Sequence, residues 1–303
     1  MRRATTNSPL AAARATGLER LKAYGELTKP RVLVLLVIVA LAGFYLAAPA
    51  SVDWARLVSA AVGIAALAAG ILALNGHWER ESDALMRRTA GRPVPSGRLS
   101  AREAFAFGSA VTVAAIAFIT ARMGWTAGAV ALFTFVSYVL VYTPLKQRTA
   151  WHTTLGALSG AMPPLLGWAC ARGTLGPEAW ALCAMLFFWQ YPHFLAIATM
   201  YGQDYARAGI KVLPSVEAPG GRLTASLIVA STALLLATSI LPWLTGLAGT
   251  VYLLTAVAAG ACFAASAVQL LVRRTKKSAR MVLRVSVLYL PVVFAVMVFN
   301  VAR

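Results

Sequence analysis

The stretch LVSAAVGIAALAAGILALNGHWERESDALMRRTAGRP, residues 57–93, decides the fold class. Its first eighteen residues carry no charge. As a helix they are long enough to cross most of the roughly 30 Å hydrocarbon core of a bilayer. The remainder holds Glu79, Glu81 and Asp83, followed by Arg87, Arg88 and Arg92. Only 10 of the 303 residues are acidic, and three of those fall within five positions here. A carboxylate beside the hydrocarbon is costly unless it is paired, metal-bound or functional. If the helix runs on through Asp83, then Asn75, Glu79 and Asp83 stand at i, i+4 and i+8. They share one face over about 12 Å, while His77 and Glu81 point away. Hard oxygen donors on one face suit Mg²⁺, which keeps waters and substrate phosphates as its other ligands. The arginines that follow offer forks for phosphate oxygens. The plainer reading is a solvated helix end with interfacial arginines; the scarcity of acid elsewhere and the depth of Asn75 weigh against it.

The rest of the chain extends the membrane reading. Hydrophobic residues make up 59% and charged residues 13%, whereas a soluble domain carries roughly a quarter charged residues. Nine apolar segments are expected to span, at 32–48, 57–74, 104–121, 125–142, 153–171, 179–200, 223–241, 250–272 and 282–301. Lone spans of this length satisfy their backbone polar groups only as helices. The fold class is therefore an all-α polytopic membrane protein. Residues 1–26 read as a basic cytoplasmic tail, and 27–303 as one membrane domain. With that tail inside, 24 of the 28 Lys and Arg fall on the cytoplasmic side, a strong positive-inside pattern. The net charge of +18 thus reads as topology and attraction to the lipid bilayer, with no nucleic acid as partner. The location expected is a bacterial plasma membrane. The alternative is the mitochondrial inner membrane, but the first span follows no cleavage-site pattern. Cys170, Cys183 and Cys262 lack metal-ligand spacing and read as core packing.

The longer connections lie on the cytoplasmic side, after the second and sixth spans, and loops of that length are usually functional. In MYGQDYARAGIKVLPSV, 200–216, Asp204 is the only carboxylate, beside Tyr205. Alone it is more often a cap or a surface pair; opposite the first cluster it becomes a second metal ligand. The connection YTPLKQRTAWH, 142–152, adds Lys146, Arg148 and His152. His193 follows Pro192 inside the sixth span, where a proline kinks the helix beside a cavity. It can orient a substrate, ligate a haem iron or satisfy a freed carbonyl. Gly156 and Gly160 in GALSGAMPPLLGW have the small-xxx-small spacing of close helix packing.

LTKPRV at 27–32, the N-x3-E-x-E-x-D segment with its MRRT and RP, LKQRT, SGAMPPLLGW, YPHF and DYARAGIKVLP stand in a characteristic order. In these the chain resembles the protohaem IX farnesyltransferases (haem O synthases), a branch of the UbiA-type intramembrane prenyltransferase superfamily. The acidic motif is common to the superfamily, whereas PPLLGW, PHF and DYARAGI point to the haem branch. The resemblance implies about nine transmembrane helices in a bundle around a central cavity open to the cytoplasm. It implies that Asn75, Glu79, Asp83 and Asp204 hold Mg²⁺ and farnesyl diphosphate. Arg87, Arg88, Arg92, Lys146, Arg148, His193 and Tyr205 are then the substrate-binding positions. Haem b is implied as the second substrate, with the product passed to a haem A synthase or a terminal oxidase assembly. Four positions depart from the pattern. Glu79 and Glu81 stand where many relatives have Asp, Gln203 where an acid often precedes Asp204, and His152 where Asn is usual. A UbiA-type enzyme prenylating an aromatic quinone precursor would share the first loop but not PHF or DYARAGI. A transporter would show paired inverted repeats, and none is visible.

Overall fold

The computed structural model describes residues 16–48, 51–217 and 221–301. The first fifteen residues of the expected basic tail, and Arg303, lie outside the described residues. The order of elements is α1 Gly17–Leu27, α2 Pro30–Ala47, α3 Trp54–Trp78, α4 Arg80–Leu85, α5 Ala101–Met123 and α6 Trp125–Phe135. A π-helical segment, Val136–Tyr142, follows, then the single turn α7 Thr143–Leu145, α8 His152–Gly160, α9 Met162–Arg172 and α10 Pro177–Arg207. The chain closes with α11 Leu213–Val216, α12 Arg222–Thr238, α13 Leu241–Leu244, α14 Thr250–Arg273 and α15 Lys276–Phe299.

Among the described residues, 8 helical segments are long and apolar enough to cross a membrane. The fifth expected span, 153–171, is instead α8 and α9 meeting at Ala161. Pro163 and Pro164 explain the break. Neither has an N–H to bond the carbonyls of Ser159 and Gly160, so the ladder stops there and restarts. Large apolar side chains such as Leu35, Ile38, Val113 and Leu254 face outward around the bundle. That pattern fits a hydrocarbon solvent and identifies a membrane protein.

The connections sort by chemistry. At one end Lys29 reaches Asn75, Arg98 reaches Glu26, Lys146 reaches Glu79 and Arg88 reaches Tyr205. At the other end, Arg56 donates to the Cys170 carbonyl at 2.7 Å and Arg172 to the Ala47 carbonyl at 2.7 Å. These arginines satisfy carbonyls that helix C-termini leave open. Residues 17–27, read from sequence largely as tail, form a helix with a Thr16/Glu19 capping box. Its Ala23 and Leu27 pack against Val94, Leu99 and Ala104. Cys170 and Cys183 are buried as expected, but Cys262 is exposed on the outer surface.

Two expectations concerning α8 and α10 meet different outcomes. A Cβ on Gly156 would lie 2.5 Å from the Tyr142 ring, and one on Gly160 would lie 2.1 Å from Gln190 Oε1. The small-residue spacing is thus close packing, closed by a bond from Gln190 Nε2 to the Ala157 carbonyl at 2.9 Å. Gly160→Val should force α8 off α10 and cost about 1–3 kcal/mol. Thermal unfolding in detergent measures this, and an unchanged midpoint would remove the packing argument. By contrast, the dihedral break in α10 falls at Tyr201 (φ −116, ψ 22) rather than at Pro192. It turns the chain three residues before Asp204.

Candidate active site

The last turn of α3 delivers Asn75, 1% exposed, to the basic end of the bundle. The helix pauses at Glu79 and resumes as α4. Bonds from Glu79 N to Asn75 O (3.0 Å) and from Asp83 N to Glu79 O (2.7 Å) carry the ladder across the joint. Asn75, Glu79 and Asp83 therefore keep the shared face that helical phase predicts. Glu81 points outward with its side chain 81% exposed and pairs with Arg80. His77 turns to α5, its Nδ1 2.8 Å from the Ala101 carbonyl.

Three cations converge on that face. Lys29 Nζ donates to Asn75 Oδ1 at 2.6 Å and lies 3.9 Å from Glu79. Lys146 forms an ion pair with Glu79. Arg92 sits 2.6 Å from Asp83 Oδ2 and 4.0 Å from Glu79. Lys29 holds its place from a left-handed backbone conformation (φ 49), directly before Pro30. A non-glycine residue is uncommon there, and such strain persists where the surroundings over-determine it. Lys29 lies within LTKPRV, but local pattern does not single it out as a site residue. The readable signal was a lysine before proline at the mouth of a span. Thr143 was also missed. Its Oγ1 takes a 3.4 Å contact from Asn75 Nδ2 and donates to the Tyr138 carbonyl at 2.8 Å. The π-helical stretch before it rotates Thr143 and Lys146 relative to α6, a device frequent at functional sites.

The electrostatics follow from burial. Burial alone would raise the Glu79 carboxyl, but Lys146 and Lys29 outweigh it and hold it at about 2. Burial lowers the Lys29 ammonium to about 8 against the pull of Glu79. For Lys146 the same burial is overcome, chiefly by Glu79, and its ammonium is raised well above the ordinary value. Three cations face two carboxylates, so the cluster is electropositive and open to an anion.

A cleft of about 220 Å³ adjoins it, lined among others by Glu79, Ser82, Thr143, Lys146, Arg148 and Ile210. Ile210 comes from the segment after α10, which folds over the acidic motif. Met86 packs on Ala198, Ala208, Ile210 and Val212. Arg88 donates to the Tyr205 hydroxyl at 3.1 Å and lies 5.4 Å above its ring. Lys211 N bonds the Lys146 carbonyl at 2.9 Å. Asp204 is in the last turn of α10, just before this covering segment, but its Oδ1 accepts from Arg207 at 3.0 Å, one turn away. Among the described residues, no group of three or more His, Cys, Asp and Glu side chains is placed to hold a metal. The structure thus joins Asn75, Glu79 and Asp83 with Lys146 and Arg92, and Arg88 with Tyr205. Asp204 stays outside that cluster. Arg87 is exposed and makes no ion pair among the described residues. His152 is 5% exposed against the Tyr142 ring, and neither ring nitrogen finds a hydrogen-bond partner among the described residues. His193 lies eleven residues before Asp204 on α10, and its Nδ1 meets Ser286 Oγ at 2.8 Å.

Comparison with known proteins bears on the fold and the family. The model of the UbiA prenyltransferase family matches residues 36–290. A protoheme IX farnesyltransferase of Solibacter usitatus is 43% identical, over 91% of this chain and 98% of that protein. One of Koribacter versatilis is 41% identical over 98% of each. Among solved structures, a digeranylgeranylglyceryl phosphate synthase superposes with a TM-score of 0.79 at 16% identity, covering 93% of this chain and 98% of its own. A UbiA homolog from Archaeoglobus fulgidus, bound to GPP and Mg2+, gives 0.64 at 16% identity, covering 91% and 99%. The shared membrane fold and the span of these matches lead to one conclusion: the chain belongs to the UbiA prenyltransferase family, in its protoheme IX farnesyltransferase branch.

Proposed function

We propose that this protein transfers the farnesyl group of farnesyl diphosphate to a vinyl group of haem b, giving haem O and diphosphate. The observation that carries the reading is the buried face of Asn75, Glu79 and Asp83, held among Lys29, Lys146 and Arg92 beside a cleft. The relatives' activity names the second substrate.

The allylic C–O bond breaks and its electron pair leaves with the diphosphate. Lys29, Lys146 and Arg92 lie where that growing negative charge would be met, with Arg88 and Arg148 at the rim. Preplaced charges of this kind are among the largest contributions to catalysis. The vinyl π-pair forms the new C–C bond to farnesyl C1. Water then adds to the cation beside the macrocycle and releases a proton, which leaves the hydroxyethylfarnesyl group. The apolar bundle protects the farnesyl cation from early hydrolysis.

The donor set fits Mg²⁺. It is all oxygen, and Glu79 stays ionised throughout the neutral range. Asn75, Glu79 and Asp83, with Asp204 from the last turn of α10, would hold the ion. It supplies charge neutralisation on the diphosphate. An arriving diphosphate competes for the three cations, which leaves the two carboxylates free for the metal. The basic end then faces the cytoplasm of a bacterium, where farnesyl diphosphate arrives and diphosphate departs, with the chain's N-terminus on the same side. Haem O would pass within the bilayer to a haem A synthase or terminal oxidase assembly.

Purified protein given Mg²⁺, farnesyl diphosphate and haem b should produce haem O, detected by mass, and a chelator should stop it. Prenylation of an aromatic quinone precursor with no reaction on haem would overturn the assignment.

A further inference from the structure

The hairpin of α14 and α15 carries a concentration of charge that the acidic cluster does not use. Arg273, Arg274, Lys276, Lys277, Arg280 and Arg284 fall within twelve residues, and no Asp or Glu follows Glu217 in the chain. All six are exposed, and none forms an ion pair among the described residues. Helical phase sorts α15 into two faces. At about 100° per residue, Lys276, Arg280, Arg284, Val287 and Leu288 share the exposed side, whereas Val282, Ser286, Tyr289 and Val293 are buried on the other.

Depth sets Arg284 apart. Ser286 meets His193 at 2.8 Å, and His193 lies about 16 Å along α10 from Asp204. Arg284, two residues nearer the polar end than Ser286, is therefore rooted about 13 Å below Asp204. Val287 and Leu288, one turn further on, are exposed in the manner of side chains that meet hydrocarbon. A charged residue within a span almost always faces the bundle interior or a water-filled cavity. Arg284 sits in a span and faces the other way, so its partner has to come from the lipid. Side chains on a helix lean toward its N-terminus, which for α15 is the polar end. Arg284 thus reaches up its own face toward Arg280 and Lys276, one and two turns above.

We propose that the exposed face of α15 binds an anionic phospholipid of the leaflet at the polar end, with the phosphate between Arg280 and Arg284 and an acyl chain along Val287 and Leu288. Two guanidinium groups one turn apart offer forked donors to phosphate oxygens. No carboxylate neighbour neutralises them, so that charge stays uncompensated until a lipid headgroup arrives. An acidic protein would have to enter hydrocarbon to reach Arg284. A substrate held in the bundle interior meets the buried face of α15, not this one.

The test uses full-length protein in phosphatidylcholine vesicles, with spin-labelled phosphatidylglycerol or spin-labelled phosphatidylcholine as the probe. The fraction of label immobilised on the protein gives the relative affinity. Wild type should prefer the anionic lipid by about fivefold or more, as one well-placed cation near the surface supplies. Arg280→Gln/Arg284→Gln should lower that preference at least about threefold, and Arg284→Lys, which keeps the charge, should retain most of it. Lys22→Gln/Arg102→Gln removes the same charge from exposed positions elsewhere at the polar end and should leave the preference almost unchanged. Thermal unfolding checks that each variant is folded, and the single Arg284→Gln change serves if the double variant is not. An undiminished preference without Arg280 and Arg284, or an equal fall in the Lys22/Arg102 control, would overturn the proposal. Displacement of the labelled lipid by inorganic phosphate would mark a simple phosphate site, and displacement by farnesyl diphosphate a substrate site; either result would overturn it as well.

Discussion

Asp83→Ala should lower kcat/KM by at least about a thousandfold, because it removes a charge from the face that meets the diphosphate and its metal. Asp83 is 1% exposed and anchors Arg92 at 2.6 Å. The fold should survive the change. Arg92 keeps Glu79 within 4.0 Å, and its side chain is 31% exposed, so water reaches it. A stability loss of about 1–3 kcal/mol is expected, below that of a fully buried broken pair. Asp83→Asn, nearly isosteric and still an acceptor for Arg92, should recover the stability but not the rate. The measurement is turnover across a Mg²⁺ titration alongside thermal unfolding. Wild-type turnover in Asp83→Ala at every Mg²⁺ concentration would remove Asp83 from the metal site.

Lys146→Met carries the second largest effect, a fall of about a hundredfold in kcat/KM for farnesyl diphosphate. The ammonium pairs with Glu79 and rests 4.3 Å over the Tyr142 ring. Its loss leaves Glu79 buried with only Lys29, at 3.9 Å, and Arg92 nearby. A pH signature separates charge from packing. Burial pushes the Glu79 carboxyl up, and the two lysines bring it down from 4.5 to about 2. A carboxylate depressed in the folded state contributes stability that is fully present above pH 4.5 and lost as pH falls toward 2. Lys146→Met should flatten that slope. The double variant Lys146→Met/Glu79→Gln should regain stability, since no buried charge is left unpaired, while staying inactive. Recovered activity in the double variant would mean that Lys146 only neutralises Glu79 and does not act on substrate.

Much of this site is legible from local pattern. Spacing of four residues separates Asn75, Glu79 and Asp83 from Glu81, and the structure keeps that separation because the hydrogen-bond ladder crosses the joint at Glu79. The π-helical turn before Thr143 is not legible, because VSYVLVY satisfies a plain apolar helix equally well. Nor is the partner of Asp204. The sequence offers Arg207 within a turn and the acidic motif across the bundle, and the described geometry selects Arg207. The break at Ala161 could be read from Pro163 and Pro164, yet the hydropathy of 153–171 as a whole hides it.

The sequence by itself determined the class of protein, the end of the bundle that carries the chemistry and the face of α3 that presents it. Those properties depend on transfer free energy and helical periodicity, which neighbours along the chain settle among themselves. Only the tertiary structure decided that Lys29 and Lys146, 46 and 67 residues from their partners, neutralise that face. It alone brought Ser286 to His193 across 93 residues. Such contacts depend on which helices pack side by side and at what rotation, and no local pattern records that.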